Sequence, residues 1–379
     1  MGIPREEYEQ RQEAVRRRTA DAGLAALLCV SGPFYARPGD VAYLTGHFPP
    51  FPTAESERKL RGTGHAAVVL DGRRCALVVD TPAYREDLVV ASEVVVASDV
   101  WAEAARLLQG TAGPVGCVGS DVLPWEGAGA LEEAGVRLVA ADPVVRELRR
   151  VKSPAEVELL RGACGCAREA LLACAGACLV GTTEVEVAAQ GAAAGLRAGA
   201  DFVRYVRVHS GPWSAWPTRW PPATDRVLQK SDLVLLDAVG ARGGYAFDVG
   251  RTTLVGFDVL PWQRELFDAV LRALAACLRA IRPGVPVGQA VQAALRAFED
   301  RGLGPHASRF LGHGIGLETV EVPLLVPDSS DVLREGMVLC VEPAVYLPER
   351  GGVCVEEVVV VVPDGCEILT SQVPRRLWE

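Results

Sequence analysis

The sequence contains little lysine and has no excess of basic residues. Lysine occurs only at positions 59, 152 and 230, and 39 basic side chains stand against 48 acidic ones, which gives a net charge of −9. A protein that binds nucleic acid needs a basic face that neutralises phosphates. The composition therefore excludes nucleic acid as a partner.

Long apolar runs are also missing. No stretch reaches the roughly 20 residues that a membrane-spanning helix needs, and the charged opening residues do not resemble a signal peptide. The eleven cysteines are odd in number and favour reduced thiols over a disulfide framework. We therefore expect a cytoplasmic protein that does not bind membranes.

Several common catalytic motifs are absent as well. The chain has no Walker loop, no His-Glu-x-x-His pair and no Gly-x-Ser-x-Gly nucleophile elbow. Its 379 residues, 49% of them hydrophobic, are nevertheless enough for two domains with sizeable cores. Any catalytic chemistry must come from a less common arrangement of side chains.

The pattern of apolar residues changes near residue 150. Residues 1–150 predict a mixed α/β domain, with a strand hairpin at Asp71-Gly72. Ser153, Pro154 and Glu156 then form a helix-starting signal. In 151–379, two helices followed by strands occur twice, which indicates an internal duplication. We predict an α/β (α+β) protein with domains 1–150 and 151–379.

Two aspartates lie on neighbouring apolar strands. Asp237 and Asp248 flank a turn at 241–244, and their midpoint falls between Arg242 and Gly243. In an antiparallel hairpin with that midpoint, the two residues face each other with Cβ atoms roughly 5 Å apart. Like charges placed so closely in apolar strands require a proton or a cation between them.

A similar pair of acids follows near the end of the chain. Glu342 ends one apolar strand and Glu356 lies on the next, with their midpoint at Glu349. Pro343 interrupts the pairing, and strand parity does not choose between Glu356 and Glu357. Two such hairpins bring four carboxylates together, and polyvalent cations stabilise a cluster of this kind.

One histidine accompanies the acids. His313 lies between the two hairpins in the stretch Gly-His-Gly-Ile-Gly, where glycines permit close approach of a backbone or ligand. An isolated histidine is more often structural than a ligand. The flanking glycines and its position between the acid pairs favour the ligand interpretation.

At this point the sequence resembles the M24 metallopeptidases, which include prolidase, aminopeptidase P and methionine aminopeptidase. The resemblance rests on the two aspartates with ten residues between them, the GHGIGLE stretch at 312–318, VEP at 341–343 and GVCVEE at 352–357. It implies a pita-bread catalytic domain with internal pseudo-duplication in 151–379, preceded by a creatinase/prolidase-like N-terminal domain in 1–150.

The resemblance also implies the metal ligands and their roles. Two divalent ions would be bound, with Asp248 and Glu356 bridging them and Glu342 also acting as the catalytic proton shuttle. Carboxylates with one imidazole suit Mn, Co, Fe or Zn. The family further implies a homodimer and a small-molecule or short-peptide substrate. The implied ligands are Asp237, Asp248, His313, Glu342 and Glu356.

The sequence departs from proline-specific relatives at three positions. Thr218 and Val320 stand where these relatives usually have histidines, and Cys354 stands where they often have arginine. In the family these side chains bind substrate and stabilise the tetrahedral intermediate. These side chains are lost although all five implied metal ligands are present. We therefore expect a retained metal site and a changed substrate pocket.

The segment that lines the pocket in relatives is rich in tryptophan. From it we predict His209, Trp213, Thr218 and Arg219 as substrate-binding residues. The resulting hypothesis is a dinuclear-metal hydrolase of a small amide or peptide-like C–N bond with a non-standard substrate. The alternatives are a non-peptidase enzyme on the same scaffold, such as a lyase or small-molecule amidohydrolase, and a metal-retaining module without catalytic activity.

Overall fold

The computed structural model describes residues 2–32, 37–49, 64–256 and 258–378. The chain divides into two compact units, Met1–Arg149 and Arg150–Glu379. Among the described helices, none combines the length and apolar character needed to cross a membrane.

The first unit contains a six-stranded mixed sheet with the strand order β4-β3-β2-β1-β5-β6. Its strands are β1 (Ala26–Ser31), β2 (Ala66–Leu70), β3 (Cys75–Val79), β4 (Glu93–Val96), β5 (Val115–Val118) and β6 (Leu138–Ala140). Its helices are α1 (Arg5–Asp21), α2 (Gly39–Thr45), α3 (Val100–Leu108), α4 (Trp125–Glu133) and α5 (Asp142–Arg149). The predicted hairpin at Asp71-Gly72 is confirmed, because β2 and β3 pair antiparallel on either side of it.

Two pairs of helices organise the second unit. The helices are α6 (Pro154–Ala177), α7 (Glu184–Arg197), α8 (Pro261–Ala280) and α9 (Val287–Glu299). Ser153 and Glu156 form the predicted capping box of α6, and Thr183 and Glu186 form that of α7, so free backbone N–H groups at both helix starts are satisfied. Buried residues of α8 and α9 share one apolar core with β-strand residues near the end of the chain.

The strands of the second unit follow each helix pair, as the sequence predicts. They are β7 (Phe202–Ser210), β8 (Leu233–Arg242), β9 (Tyr245–Leu254), β10 (Gly312–Gly314), β11 (Glu321–Leu324), β12 (Val338–Val341), β13 (Ala344–Leu347), β14 (Gly351–Cys354), β15 (Glu357–Val362) and β16 (Gly365–Ile368). They form the sheets β7-β8-β9, β11-β10-β12-β15-β16 and β13-β14, and every pairing is antiparallel.

The predicted register of the first acid pair is wrong. Asp237 faces Gly250, and Asp248 faces Val239, so the two aspartates are diagonal neighbours. The reason is a two-residue turn at Gly243 and Gly244, which have φ values of 59° and 78°. Such a turn needs positive φ at both positions, which glycine adopts without strain. Both aspartates still lie on one face of the hairpin, because side chains alternate along each strand.

The predicted midpoint of the second acid pair is confirmed. Val341 pairs with Glu357 and Ala344 pairs with Cys354, so both ladders are centred on Glu349. The ladders belong to two different sheets, and the change of sheet occurs at Pro343, which cannot donate a backbone hydrogen bond. Glu342 and Glu356 therefore lie at the break between the two ladders.

Candidate metal centre

The five residues predicted as metal ligands converge within the second unit. Asp237, Asp248 and Glu356 each offer an oxygen, and these atoms lie within 4.8 Å of one another. His313 Nε2 lies 3.6 Å from Asp248 Oδ2 and 3.7 Å from Glu342 Oε1. The side chains come from β8, β9, β10 and the two strand ends at the break between ladders, so the fold gathers residues that are distant in sequence.

Glycines hold His313 in place between two neighbouring strands. A Cβ atom at Gly312 would collide with the Cys340 carbonyl oxygen on β12, and one at Gly314 would lie 2.6 Å from the Val322 carbonyl oxygen on β11. The His313 ring contacts the Gly314 carbonyl oxygen through Nδ1 at 2.8 Å. Because a carbonyl only accepts, Nδ1 donates, and Nε2 is left facing the carboxylates.

Burial and mutual repulsion dominate the electrostatics of the acids. Burial raises the pKa of Asp237, and the neighbouring Asp248 raises it further. Burial also raises the pKa of Glu356 well above its ordinary value, with further contributions from Asp248 and Glu342. Burial raises the pKa of Glu342 to about 7, although His313 opposes the shift. The cluster therefore favours added positive charge, as protons or as metal ions.

Burial and neighbouring charges act in opposite directions on the pKa of the histidine. Burial alone lowers the pKa of His313, but its contact with Asp248 and the charge of Glu342 raise that pKa to about 9. An imidazolium next to two carboxylates supplies one positive charge to a site that holds four acids.

The donor atoms fit a divalent cation. Asp237 Oδ1 and Glu356 Oε1 are buried and accept no hydrogen bond from the described residues. Unpaired buried carboxylate oxygens are costly, and cation coordination is a common way of satisfying them. Gly250 leaves space for this arrangement, because a Cβ atom there would lie 3.0 Å from Glu356 Oε2. The side chains thus match the carboxylate-rich site that the sequence predicts.

The neighbouring glutamate has a different role. Glu357 is buried against Arg251 and Arg375, with Arg251 Nη2 lying 3.3 Å and Arg375 Nε 2.7 Å from its carboxylate oxygens. Thr370 also donates to it. Strand parity left Glu356 and Glu357 as alternatives, and the structure directs Glu356 toward the other acids.

Sequence reasoning missed Arg207, which lies at the edge of the cluster. Arg207 on β7 pairs with Asp237 on β8, and its Nη1 donates to Asp237 Oδ2 at 2.9 Å. Its charge lowers the pKa of both Asp237 and Glu342, against the larger effect of burial. No local motif marks this residue, because residues 211–232 separate the two strands and hide their register.

Sequence reasoning also missed Cys340. This fully buried cysteine faces His313 across the β10–β12 ladder and precedes Glu342 by two residues. Side chains two apart on a strand share a face. The spacing Cys-x-Glu at 340–342 was therefore a signal available in the sequence.

The predicted substrate-binding residues lie on the end of β7 and the segment after it. His209 is buried, and its Nε2 lies 3.3 Å from the Pro221 carbonyl oxygen. Trp213 belongs to a 3₁₀ turn at Gly211–Ala215 and is 43% exposed. The Arg219 guanidinium lies 3.2 Å from the centre of the Trp213 ring, and Thr218 is exposed. These contacts connect the residues with their own segment, not with the acid cluster.

Val320 and Cys354, two of the three positions that differ from proline-specific relatives, lie in different surroundings from each other. Val320 is exposed at 53%. Cys354 is buried, and its Sγ lies 3.9 Å from the Glu342 carbonyl oxygen. Neither Val320 nor Cys354 offers a cationic donor to a substrate oxygen.

Comparison with known proteins agrees with this geometry. Residues 158–363 match the metallopeptidase family M24, and residues 11–151 match the creatinase/prolidase N-terminal domain. A protein named probable dipeptidase PepE from Mycobacterium tuberculosis is 34% identical, over 98% of this chain and 96% of its own length.

Solved structures give the same result. The dipeptidase PepE from Mycobacterium ulcerans superposes with a TM-score of 0.82 at 31% identity, covering 99% of this chain and 98% of the other. The prolidase from Pyrococcus horikoshii superposes with a TM-score of 0.83 at 25% identity, covering 96% and 98%. The chain therefore belongs to metallopeptidase family M24, a family of metal-dependent hydrolases. The predicted fold class, a creatinase-type domain followed by a pita-bread domain, is confirmed.

Proposed function

We propose that this chain hydrolyses the amide bond of a short peptide or a similar small substrate with two divalent cations bound at the acid cluster. The observation that carries the proposal is the pair of overlapping donor groups. Asp237, Asp248 and Glu356 form one group, and His313, Cys340 and Glu356 form another. Because Glu356 belongs to both groups, its carboxylate would contribute oxygen ligands to both cation positions.

The residues that would hold the ions are the four converging acids and one histidine. Divalent ions in such a site polarise a carbonyl group and lower the pKa of water, which gives a nucleophile at neutral pH. Manganese, cobalt, iron and zinc all accept carboxylate and imidazole ligands. The ligands are Asp237, Asp248, His313, Glu342 and Glu356.

The protein side chains around the cluster have separable tasks. Glu342 is 27% exposed, so its carboxylate would be able to take up and return a proton during the reaction. Arg207 binds one oxygen of Asp237 and leaves the other free, which fixes the orientation of that carboxylate. The Gly314 carbonyl fixes the ring of His313 in the same way.

The substrate is proposed to differ from a simple Xaa-Pro dipeptide. Thr218 is a weaker hydrogen-bond donor than histidine, and Val320 donates nothing, so neither replaces an oxyanion donor. The exposed pair of Trp213 and Arg219 offers an aromatic and cationic surface instead. A non-peptidase reaction on the same scaffold is the second candidate, and this changed surface favours it.

The test combines metal analysis with a substrate panel. Protein loaded with Mn, Co or Zn and freed of excess metal should contain two ions per chain by elemental analysis. It should hydrolyse one class among Xaa-Pro dipeptides, other dipeptides and N-acyl amino acids. A chain that holds no ion after loading would overturn the proposal.

A double variant tests the specificity. Loss of an oxyanion donor costs about 10²–10³ in rate, so the wild type should be slow on Xaa-Pro dipeptides. Thr218→His with Val320→His should raise that rate if the pocket otherwise accepts peptides. Fast wild-type turnover of Xaa-Pro dipeptides would contradict the proposed change of substrate. Slow turnover by both proteins would favour the non-peptidase alternative.

A further inference from the structure

Cys340 presents its thiol to the same space as the predicted ligands. It lies on β12, one residue before that strand ends at Val341 and two residues before Glu342. Across the β10–β12 ladder it lies directly opposite His313. The ladder thus places Cys340 beside one proposed ligand, His313, and close to the strand end that precedes another, Glu342.

The donor atoms around Cys340 are close enough to share one ion. An imidazole nitrogen of His313, Cys340 Sγ and a carboxylate oxygen of Glu356 lie within 4.8 Å of one another, and all three residues are buried. Glu356 is only 3% exposed, and its Oε1 accepts no hydrogen bond from the described residues. The thiol itself makes a long contact of 3.8 Å to the Asp248 carbonyl oxygen.

We propose that Cys340 is a metal ligand, so that one of the two cation positions is a His–Cys–Glu site. This assignment rests on the proposed function of the same centre and adds a sulfur donor to it. Coordination breaks the S–H bond and releases the proton to solvent, since the thiolate is the form that binds metals. Thiolate donors select zinc and cobalt over manganese, so this position prefers a thiophilic ion.

Cys354 provides a matched control within the same site. It is also buried beside the acid cluster, but its Sγ lies 3.9 Å from the Glu342 main-chain carbonyl. It packs against Leu235 and Ala344 in a small apolar group. We assign no coordination to Cys354, although both thiols lie close to Glu342.

The experiment is a cobalt titration of the full chain followed by absorption spectroscopy. Wild type and Cys354→Ser should develop a near-ultraviolet sulfur-to-cobalt charge-transfer band that saturates with bound cobalt. Cys340→Ser should lose that band while it keeps the visible ligand-field bands. Cys340→Ala, checked for native circular dichroism, should behave like the serine variant and separates coordination from effects of the hydroxyl.

Metal competition provides a second measurement. Loss of a residue that only supports a ligand costs about 10–100-fold in metal affinity, and a direct donor should matter at least as much. Cys340→Ser should therefore lower zinc affinity relative to manganese affinity by at least about tenfold. An unchanged ratio would overturn the assignment.

The possible outcomes separate the two proposals. Cobalt binding with ligand-field bands but no charge-transfer band in the wild type would overturn the role of Cys340 and leave the metal centre intact. A charge-transfer band that persists in Cys340→Ser would also overturn it. Failure of the wild type to bind cobalt, zinc or manganese would overturn the proposed function and this assignment with it.

Discussion

Two adjacent glutamates of this protein show two ways in which a buried acid is satisfied. Glu357 is buried with Arg251 and Arg375 within 3.3 Å and with a hydroxyl donor from Thr370. Glu356 is almost as deeply buried, but it faces Asp237, Asp248 and Glu342, and one of its oxygens has no hydrogen-bond partner among the described residues.

The two glutamates differ in what neutralises their charge, and this difference distinguishes an acid that stabilises the fold from one that is available to bind a cation. A carboxylate neutralised by internal guanidinium groups is complete within the chain and contributes to the folded state. A carboxylate that faces other carboxylates and keeps one oxygen unpaired favours an added cation, and the like charges around it oppose folding until a cation binds. The two residues are neighbours in sequence, so their environments alone distinguish them.

The largest expected effect is the difference in the free energy of unfolding between Glu357→Gln and Glu356→Gln in the metal-free protein. Glu357→Gln removes the carboxylate to which the fully buried Arg251 donates, and breaking a buried pair costs about 3–5 kcal/mol. Glu356→Gln removes like-charge repulsion and should cause no loss of stability. Urea denaturation of the chelated variants measures both. Equal losses in the two variants would show that Glu356 also has an internal partner.

Metal ions should stabilise the wild type by a somewhat smaller amount. A ligand at a hundred times its Kd stabilises the state that binds it by about 2.7 kcal/mol. For a unit of this size, that corresponds to a rise of about 5–10 °C in Tm. Thermal melts with chelator and after addition of Mn, Co or Zn provide the measurement. Glu357→Gln should keep the metal-dependent rise, and Glu356→Gln should lose most of it.

Metal affinity distinguishes an aspartate inside the acid cluster from one outside it. Asp248 contributes an oxygen to the group shared with Asp237 and Glu356, whereas Asp225 is exposed and outside the cluster. Asp248→Asn should weaken metal binding by at least about 10–100-fold, the cost reported for residues that merely support ligands. Asp225→Asn is the matched control and should bind as the wild type does. Calorimetric titration of both variants decides the point, and similar losses would argue for a nonspecific charge effect.

Local signals account for most of what the sequence could predict. The capping residues Ser153 and Thr183 and the Asp71-Gly72 hairpin specify their elements through contacts within a few residues, and the structure confirms them. The midpoint predicted for the second acid pair is correct, because both of the ladders beside it are centred on Glu349.

Long-range geometry accounts for what the sequence could not give. The Gly243-Gly244 turn shifted the first hairpin by one residue from the expected midpoint, so the aspartates became diagonal neighbours. Arg207 reaches Asp237 across strands whose register depends on the whole sheet. The choice between Glu356 and Glu357 also depends on distant residues such as Arg375, which no alternation pattern reveals.

The last expected effect is the pH dependence of the metal-free protein. Burial raises the pKa of Glu342 from 4.5 to about 7. Burial lowers the pKa of His313, but Asp248 and Glu342 raise it from 6.5 to about 9 overall. A raised folded-state pKa means that the folded protein binds more protons than the unfolded chain, so stability falls as pH rises. The contribution of Glu342 is complete below about pH 4.5 and is lost by about pH 7. That of His313 is lost between about pH 6.5 and 9.

Bound metal should reverse this trend, because ligands must release protons to coordinate it. The rise in Tm caused by metal should therefore be larger at about pH 8 than at about pH 5.5, two values on either side of the raised pKa of Glu342. Melts of chelated and loaded protein at both pH values measure this difference directly. Glu342→Gln should flatten the part of the curve below about pH 7, whereas Glu357→Gln, which removes an acid already neutralised by arginines, should leave its shape unchanged. A metal-dependent rise that is the same at both pH values would show that the cluster does not exchange protons for metal, and the distinction between the two glutamates would lose its functional meaning.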